Sequence, residues 1–306
     1  MMSLELELKF LLGPADAAAL PELLALYGEI TAAPVSALLN AYFDTPAQWF
    51  RLHDMGLRTR QKQGRFEQTI KLAGQHHGAL QVRPEYNLPC AGVRPQLSDF
   101  PAEIWPVATD LAQLQAELIE LFRTDFSRQS WLLRTAHAEV DVVYDLGEVR
   151  SGARRQQLAE LELELLSGDA NELFQLAHFL LQHLPLRAGW LSKAARGYQL
   201  YQQKTTPRPA ALAVSLDPAE RLLRHLQRLQ QLEACYTQEL AVELLSDAAA
   251  ELLQLADILQ DEGEQLLATQ ARALQRQLTE QQALLFNSKA YQQWLVTLSA
   301  LLFNRA

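Results

Sequence analysis

Hydrophobic and charged residues alternate strictly in two short segments of the chain. Residues 4–10 read Leu-Glu-Leu-Glu-Leu-Lys-Phe, and residues 160–165 read Glu-Leu-Glu-Leu-Glu-Leu. Successive side chains of a β-strand point to opposite faces, so each segment is predicted to be a strand with one leucine face and one charged face. Because basic segments lie between them, we expect the charged faces to point inward at a common ligand.

The same alternation predicts the other strands of an N-terminal domain, and leucine spacing predicts its helices. Strands are expected at residues 3–11, 37–44, 56–61, 65–73, 79–87, 128–137, 138–145, 157–166 and 197–201. Helices are expected at residues 16–27, 109–122 and 169–184, with Asp169 as the cap of the third. This pattern predicts an α+β fold, and a closed antiparallel barrel of about eight strands would have an interior wide enough for one small ligand.

The pattern changes after a proline-containing linker. We predict an N-terminal domain at residues 1–204, a linker at 205–214 and a helical domain at 215–306. Residues 216–306 contain a single proline and a single glycine and are rich in leucine, alanine and glutamine, which predicts four or five helices in a bundle or hairpin stack. Asp217 is the expected N-cap of the first of these helices, with Pro218 at its first position.

Composition narrows the class of protein. The chain has 306 residues and a formal net charge of −9, which argues against general binding of nucleic acids. The sequence has no run of eighteen apolar residues and no recognisable signal peptide, so neither a membrane span nor export is expected. The two cysteines, Cys90 and Cys235, lie far apart in the sequence. We therefore expect no disulfide and a cytoplasmic location.

Charged positions spaced by two residues carry the candidate chemistry. The acidic ones are Glu5, Glu7, Glu85, Asp145, Glu160, Glu162 and Glu164. The basic ones are Lys9, Arg58, Arg60, Lys71, Arg83, Arg128 and Lys193. Each motif alone is more typical of a solvated strand face or a surface pair, and only their joint occurrence favours a shared lumen.

Converging carboxylates need cations between them, because two of them about 4 Å apart repel by roughly 4 kcal/mol at an effective dielectric constant near 20. Oxygen ligands without histidine or cysteine favour Mg²⁺ or Mn²⁺ over zinc. The basic residues then require an anion that also binds the metal. A polyphosphate satisfies both sets of charges.

The ordered set of motifs resembles the CYTH superfamily, also called triphosphate tunnel metalloenzymes. Within it, the chain is most similar to bacterial inorganic triphosphatases that carry a helical domain after the CYTH domain. The motifs that carry the resemblance are Glu5-Leu-Glu7-Leu-Lys9, Asn40-Ala-Tyr42-Phe43-Asp44-Thr45, Arg58-Thr-Arg60, Thr69-Ile-Lys71, Arg83-Pro-Glu85-Tyr86, Arg123-Thr-Asp125-Phe126-Ser-Arg128, Asp145-Leu-Gly147, Glu160-Leu-Glu162-Leu-Glu164 and Lys193-Ala-Ala-Arg196-Gly197-Tyr198.

The resemblance implies an eight-stranded antiparallel tunnel that hydrolyses inorganic triphosphate to pyrophosphate and phosphate with Mg²⁺ or Mn²⁺ at two sites. Metal ligands would be Glu5, Glu7, Asp145, Glu162 and Glu164. Phosphate ligands would be Lys9, Arg58, Arg60, Lys71, Arg83, Arg128 and Lys193. The expected catalytic residues are Glu162 or Glu164 for positioning the water and Lys193 for the leaving group.

Other residues have supporting roles in this interpretation. Glu160 would support the site, and Glu85 would orient Arg83 or Arg60 through a salt bridge. Tyr42 and Asp44 are expected to be structural, with Asp44 opening a turn after a strand.

Three alternatives remain, two enzymes within the family and one protein of a different class. They are a thiamine triphosphatase, a class IV-type adenylate cyclase and a polyphosphate-binding module without catalysis. The helical half would be a shortened relative of the CHAD domain or a plain bundle. Its residues 211–306 hold 12 acidic against 7 basic side chains, which favours packing against the tunnel domain or self-association.

Overall fold

In the part of the chain that the structure describes, ten strands form one antiparallel sheet, and eight of them close into a barrel. The computed structural model describes residues 2–212 and 218–305. The strands are β1 (Met2–Leu11), β2 (Glu29–Asp44), β3 (Gly56–Lys62), β4 (Arg65–Lys71), β5 (Gln75–His77), β6 (Leu80–Cys90), β7 (Ile119–Arg134), β8 (Ala138–Ser151), β9 (Arg154–Gly168) and β10 (Arg187–Ala188). Neighbours follow the order β1-β9-β8-β7-β2-β3-β4-β6, and β6 pairs with β1 to close the ring. The predicted α+β barrel is confirmed.

Helices flank the barrel and make up the C-terminal region. They are α1 (Pro14–Ala17), α2 (Leu20–Tyr27), α3 (Trp49–Leu52), α4 (Leu111–Glu117), α5 (Asn171–His183), α6 (Lys193–Gln202), α7 (Pro218–Glu239), α8 (Glu243–Asp261), α9 (Gln265–Gln281) and α10 (Lys289–Arg305). The predicted four or five C-terminal helices correspond to α7–α10. None of the described helices combines the length and the hydrophobicity needed to span a bilayer.

Strand β1 shows how alternation builds this barrel. Leu8 and Phe10 are fully buried in the largest hydrophobic cluster, which also contains leucines of α2, α5 and α7. Glu7 and Lys9, on the opposite face, line the barrel interior. The apolar face of this strand thus packs outward against helices, and the charged face points into the lumen.

The C-terminal helices share a core with the barrel. The same cluster runs from Leu8 through Leu226 of α7 to Leu302 of α10. Two buried polar side chains of α10 also bind backbone of the turn before β6 and of β10: Ser299 Oγ accepts from Ala79 N and Gln292 Oε1 accepts from Ala188 N, both at 2.8 Å. The domain boundary near residue 204 remains a prediction, because the hydrophobic packing continues across it.

Several element predictions were wrong. Strand β2 begins at Glu29, eight residues before the expected start of 37, and β8 continues to Ser151, six residues past the expected end of 145. The helix expected at 109–122 ends at Glu117, and strand β7 begins at Ile119, nine residues before the expected start of 128. The strand expected at 197–201 is the middle of helix α6, whose N-cap is Ser192.

The caps expected for two other helices had different outcomes. Asp169 is not the N-cap of α5, since Ala170 holds that position; Asp169 Oδ1 instead accepts from Asn171 N at 2.9 Å. Asp217, the expected cap of α7, lies outside the described residues. Both cysteines are free thiols, as expected.

Candidate active site

A cavity of about 430 Å³ fills the barrel interior. Twelve of the fourteen charged residues singled out in the sequence line it, carried by six strands and by helix α6. They are Glu5, Glu7, Lys9, Arg58, Arg60, Lys71, Arg83, Glu85, Arg128, Glu162, Glu164 and Lys193. Antiparallel register explains the convergence, because directly opposed residues such as Glu5 and Arg83, or Glu7 and Glu164, share a face.

The other two, Asp145 and Glu160, lie behind the cavity wall and are fully buried. Both pair with Lys193, whose Nζ is 2.9 Å from Asp145 Oδ2, 2.9 Å from Glu160 Oε2 and in contact with Glu162. We call Lys193 with Asp145, Glu160 and Glu162 the Lys193 cluster. Its single ammonium group therefore faces three carboxylates.

Two arginines complete the compensation of charge in the Lys193 cluster. Arg128 binds Asp145 through two parallel hydrogen bonds of 2.7 Å and reaches Glu162 at 3.1 Å. Arg196 Nη1 donates to Glu160 at 2.7 Å. Burial alone would raise the pKa of Glu162, but Lys193 and Arg128 outweigh burial and hold it far below its usual range. The same kind of contact raises the pKa of Lys193 well above its ordinary value.

The opposite wall of the cavity is basic. Arg58 and Arg60 lie on one face of β3, next to Tyr42 of β2. Burial, Arg58 and Arg128 lower the pKa of Arg60 to about 9. Burial would raise the pKa of Tyr42, but Arg58 and Arg60 lower it overall. Arg58 and Arg60 therefore place positive charges close together on this wall, and nearby carboxylates do not fully neutralise them.

Two groups show how this basic wall is held and what it lacks. Asn40 is buried, donates to Thr124 O at 2.7 Å and accepts from Arg60 Nε at 2.7 Å, which fixes the Arg60 guanidinium. Arg58 Nε is buried and has no hydrogen-bond partner among the described residues. A buried donor without an acceptor is costly, so this wall suits a bound anion.

Lys71 pairs with acidic side chains of the cavity. Its ammonium contacts Glu5 and lies 3.2 Å from Glu85. Arg83 donates through Nε and Nη2 to Leu72 O at 3.1 and 3.0 Å. The prediction that Glu85 pairs with Arg83 or Arg60 was therefore wrong: Glu85 pairs with Lys71, opposite it in the register.

Glu7 and Glu164 have a different environment from the Lys193 cluster. They lie opposite each other on β1 and β9, and within residues 2–212 and 218–305 neither makes an ion pair. Burial, Glu162 and Glu5 raise the pKa of Glu7 to about 8. Burial and Glu5 raise the pKa of Glu164 to about 7. We call these two residues the Glu7–Glu164 pair.

The donor set fits a hard divalent cation in its chemistry. Carboxylate oxygens without sulfur or imidazole are typical Mg²⁺ or Mn²⁺ ligands, and a cation would relieve the repulsion at the Glu7–Glu164 pair. In the described part of the chain, no three His, Cys, Asp or Glu side chains converge closely enough to form a metal-ligand group. Of the five predicted metal ligands, Asp145 is the one whose oxygens are both engaged by Arg128.

Comparison with known proteins gives the family of this barrel. The family model described as the CYTH domain matches residues 3–198. The chain belongs to the CYTH family.

Individual relatives are similar over the CYTH region. The inorganic triphosphatase of Haemophilus influenzae is 32% identical over 201 residues, which is 65% of this chain and 56% of that protein. The chain thus matches little more than half the length of this relative. Among solved structures, HpAC1 from Hippeastrum, described as an adenylyl cyclase candidate with a dominant triphosphatase activity, is 15% identical with a TM-score of 0.45 and covers 66% of this chain and 98% of its own.

A second solved structure, described as an adenylate cyclase candidate from Bacillus halodurans, is 20% identical with a TM-score of 0.36 and covers 60% of this chain and 94% of its own.

Several residues of the CYTH cavity were not found from the sequence. Gln81 and Asn87 share the inward face of β6 with Arg83 and Glu85, so the alternation could have revealed them. Ser192, Arg51, Asp54 and Tyr198 also line the cavity but come from loops and helices, where no periodic signal exists.

Tyr198, which lines the cavity, is held by a hydrogen bond to Asp44 at the end of β2. Arg51 lies over the Tyr198 ring at 4.7 Å, and the Tyr198 hydroxyl donates to Asp44 Oδ2 at 2.6 Å. Asp44 also accepts from the backbone of Thr45, Phe50 and Arg51, which confirms its predicted structural role at the turn. Tyr42, expected to be structural, also lines the cavity.

Proposed function

We propose that this CYTH protein hydrolyses inorganic triphosphate to pyrophosphate and phosphate in a reaction that depends on Mg²⁺ or Mn²⁺. The observation that carries the proposal is the division of the cavity into two walls. Arg58 has an unsatisfied buried Nε on the basic wall, and the Glu7–Glu164 pair has uncompensated carboxylates on the other. A metal-bound polyphosphate supplies the missing partner of both.

The basic wall would bind the phosphoryl oxygens. Arg58, Arg60 and Arg83 present guanidinium groups whose planar donors match phosphate oxygens, and Lys9 and Lys71 add compact charges. Lys9 Nζ already donates to Leu191 O at 2.9 Å, which leaves two of its three protons for a ligand. Asn40 would keep Arg60 in place for this contact.

The metal-holding residues we propose are Glu5, Glu7, Glu162 and Glu164, all on the cavity wall. When bound, Mg²⁺ or Mn²⁺ polarises phosphoryl oxygens and lowers the pKa of a coordinated water. Two such ions remain our expectation from the family. For Asp145, its buried contacts favour a positioning role for Arg128 and Lys193 over direct metal binding.

The two candidates for positioning water differ in their capacity to accept a proton. Glu162 has its oxygens engaged by Lys193 and Arg128, and its pKa lies far below the usual range. In the metal-free protein, burial raises the pKa of Glu164 to about 7, and no described residue forms an ion pair with it, so its oxygens remain open to a water molecule. We therefore assign proton acceptance to Glu164 and a fixed electrostatic role to Glu162.

Lys193 has little freedom to act on a leaving group. Its ammonium faces three carboxylates, and its pKa is raised well above the ordinary value, so it keeps its proton through the reaction. Its proposed role is to hold Glu162 and Asp145 in position. The oxygen that leaves on pyrophosphate would then be stabilised by arginines of the basic wall.

A substrate panel tests the proposal directly. Phosphate release is measured with inorganic triphosphate, pyrophosphate, ATP and thiamine triphosphate, each with Mg²⁺, Mn²⁺ or a chelator, and cyclic AMP is measured with ATP. We expect the highest kcat/KM with inorganic triphosphate and no turnover with chelator. Preference for thiamine triphosphate, or formation of cyclic AMP, would support the alternative activities instead.

Variants test the roles assigned to individual residues. Glu164→Gln and Arg58→Ala should each lower kcat/KM by about 100-fold or more, in line with losses of a general base or of an oxyanion partner. The matched control is Glu148→Gln, on β8 but on the face opposite Asp145, where Glu148 pairs with Arg155 at the surface. Tight triphosphate binding without hydrolysis of any substrate would show a binding module and refute the enzymatic proposal.

A further inference from the structure

A second cavity, of about 200 Å³, lies between the barrel and helix α7. We call it the interface cavity. Strand β10, the loop after it and helix α6 contribute Arg187, Trp190 and Arg196 to its wall, and α7 contributes Gln230 and Glu233. None of these five residues lines the barrel cavity. A water molecule occupies roughly 30 Å³ in the liquid, so the interface cavity has room for a small ligand.

This wall carries a nearly buried amide and a guanidinium nitrogen without a hydrogen-bond partner. Gln230 is only 3% exposed and lines the cavity. Arg187 Nε is buried 3.2 Å from Glu233 Oε1 but is not aligned for a hydrogen bond, and within the described chain it has no other partner. Buried polar groups are nearly always satisfied, by protein or by a bound molecule.

The chemistry of these groups favours an oxyanion. Arg187 and Arg196 provide guanidinium donors, Gln230 an amide and Trp190 an indole N–H. Among the described residues of the wall, Glu233 is the one carboxylate, and burial raises its pKa to about 7, so it carries only part of a negative charge near neutral pH. A compact, partly protonated oxyanion matches both the donors and this carboxylate.

We propose that the interface cavity is a binding site for a small oxyanion of the phosphate class, held by Arg187, Arg196 and Gln230. The site is formed jointly by the barrel and the C-terminal helices, which gives this helical region a role in ligand binding as well as in packing.

The interface cavity also has a physical connection to the barrel cavity. Residues 187–191 line it from one side and hold Lys9 on the other: Gly189 N donates to Lys9 O at 2.8 Å, and Leu191 O accepts from Lys9 Nζ at 2.9 Å. Arg196 binds Glu160 of the Lys193 cluster at 2.7 Å. An oxyanion bound here would therefore alter the position of Lys9 and Glu160, and an effect on turnover follows if the proposed function holds.

Fluorescence of Trp190 provides a test that does not require turnover. Inorganic phosphate is titrated into the full chain without divalent metal, with chloride at matched ionic strength as the control. We expect a saturable change for phosphate that is absent in Trp190→Phe, persists in Arg58→Ala/Arg60→Ala and is weakened about fivefold in Gln230→Met, as loss of one hydrogen bond implies. Arg187→Gln serves as the second variant if Gln230→Met folds poorly.

Two results would overturn this site. One is an equal change with chloride. The other is a signal that disappears in Arg58→Ala/Arg60→Ala and is unchanged in Gln230→Met and Arg187→Gln, which would locate phosphate in the barrel alone. A phosphate signal that follows Gln230 in a protein without triphosphatase activity would retain the site and reject the proposed function, so the two failures are distinguishable.

Discussion

The Lys193 cluster and the Glu7–Glu164 pair lie in the same barrel, but they differ in how their buried carboxylates are compensated. In the cluster, Lys193, Arg128 and Arg196 compensate three carboxylates, and the pKa values of Glu160 and Glu162 fall. In the pair, described residues supply no ion pair, and both pKa values rise. The first group is compensated within the protein, whereas our proposal assigns a bound cation to the second. Glu162 belongs to the first group but also lines the cavity, so its pairing with Lys193 and Arg128 does not remove it from the proposed metal-holding residues.

The largest expected effect comes from removing the central cation of the cluster. Lys193→Met leaves three buried carboxylates without their shared partner, so we expect the free energy of unfolding to fall by about 3–5 kcal/mol. Denaturation in urea measures this change. Lys9→Met is the matched control in the same cavity, because the Lys9 ammonium hydrogen-bonds a single described group, Leu191 O. Equal losses in both variants would contradict the special status of the cluster.

A buried carboxylate outside the barrel cavity tests whether partner number controls the pKa. Glu233 has one arginine at 3.2 Å and the Tyr291 hydroxyl at 2.9 Å. Burial raises its pKa from 4.5 to about 7, since Arg187 and Tyr291 offset only part of the desolvation. Because the folded-state pKa is raised, the stability contribution is fully present below pH 4.5 and is lost as pH rises through about 7.

Glu233→Gln should remove this dependence. Relative to Glu233→Gln, the unchanged protein should lose up to about 3 kcal/mol between pH 4.5 and 8. The measurement is urea denaturation at several pH values in buffers without phosphate, so that occupancy of the interface cavity does not contribute. A constant difference between the two proteins across this range would show that Glu233 is ionised throughout.

Sequence alternation predicted the cavity better than it predicted the elements around it. Period two placed Glu5, Glu7 and Lys9 on one face, and the barrel closed that face inward as expected. It could not reveal that Asp145 and Glu160 lie behind the wall, because depth depends on where Lys193 enters from α6. Ion-pair partners likewise depend on cross-strand register, which no single strand encodes.

The wrong element predictions have a similar cause. Leu111, Leu114, Leu118 and Leu121 are spaced as on a helix, but the last two belong to the chain that leaves α4 and enters the long strand β7. Residues 197–201 alternate as in a strand, yet the Ser192 cap at the start of α6 and the packing of Tyr198 against Phe122 make them helical. Tertiary packing overrides a short periodic pattern in both places.

Metal binding tests the second of the two groups, the Glu7–Glu164 pair. At a Mg²⁺ concentration 100 times its dissociation constant, the ion should stabilise the protein by about 2.7 kcal/mol, and a 100-fold loss of affinity would reduce this to about 0.4 kcal/mol. We expect that reduction in Glu7→Gln/Glu164→Gln, measured as the shift of thermal unfolding between chelator and Mg²⁺. In chelator, the double variant should be at least as stable as the unchanged protein, because the repulsion is gone.

The control for metal binding is Glu139→Gln, an exposed carboxylate on β8 that pairs with Arg134. This variant should show the full Mg²⁺ shift. A full shift in Glu7→Gln/Glu164→Gln as well would mean that Mg²⁺ binds elsewhere, and the assignment of the Glu7–Glu164 pair would be wrong.

The smallest effect is expected at Glu85. The compensation of its charge is intermediate between that in the Lys193 cluster and that in the Glu7–Glu164 pair. Glu85 shares Lys71 with Glu5 and accepts from Asn87, and although burial opposes it, Lys71 and Arg58 lower its pKa. Glu85→Gln should cost about 1 kcal/mol at neutral pH, because Lys71 keeps Glu5 as a partner. Since the folded-state pKa is lowered, this cost should shrink as pH falls through that value. Glu148→Gln, which removes an exposed ion pair, should cost less than about 0.5 kcal/mol; a larger loss there than at Glu85 would show that burial in the cavity adds nothing to these pairs.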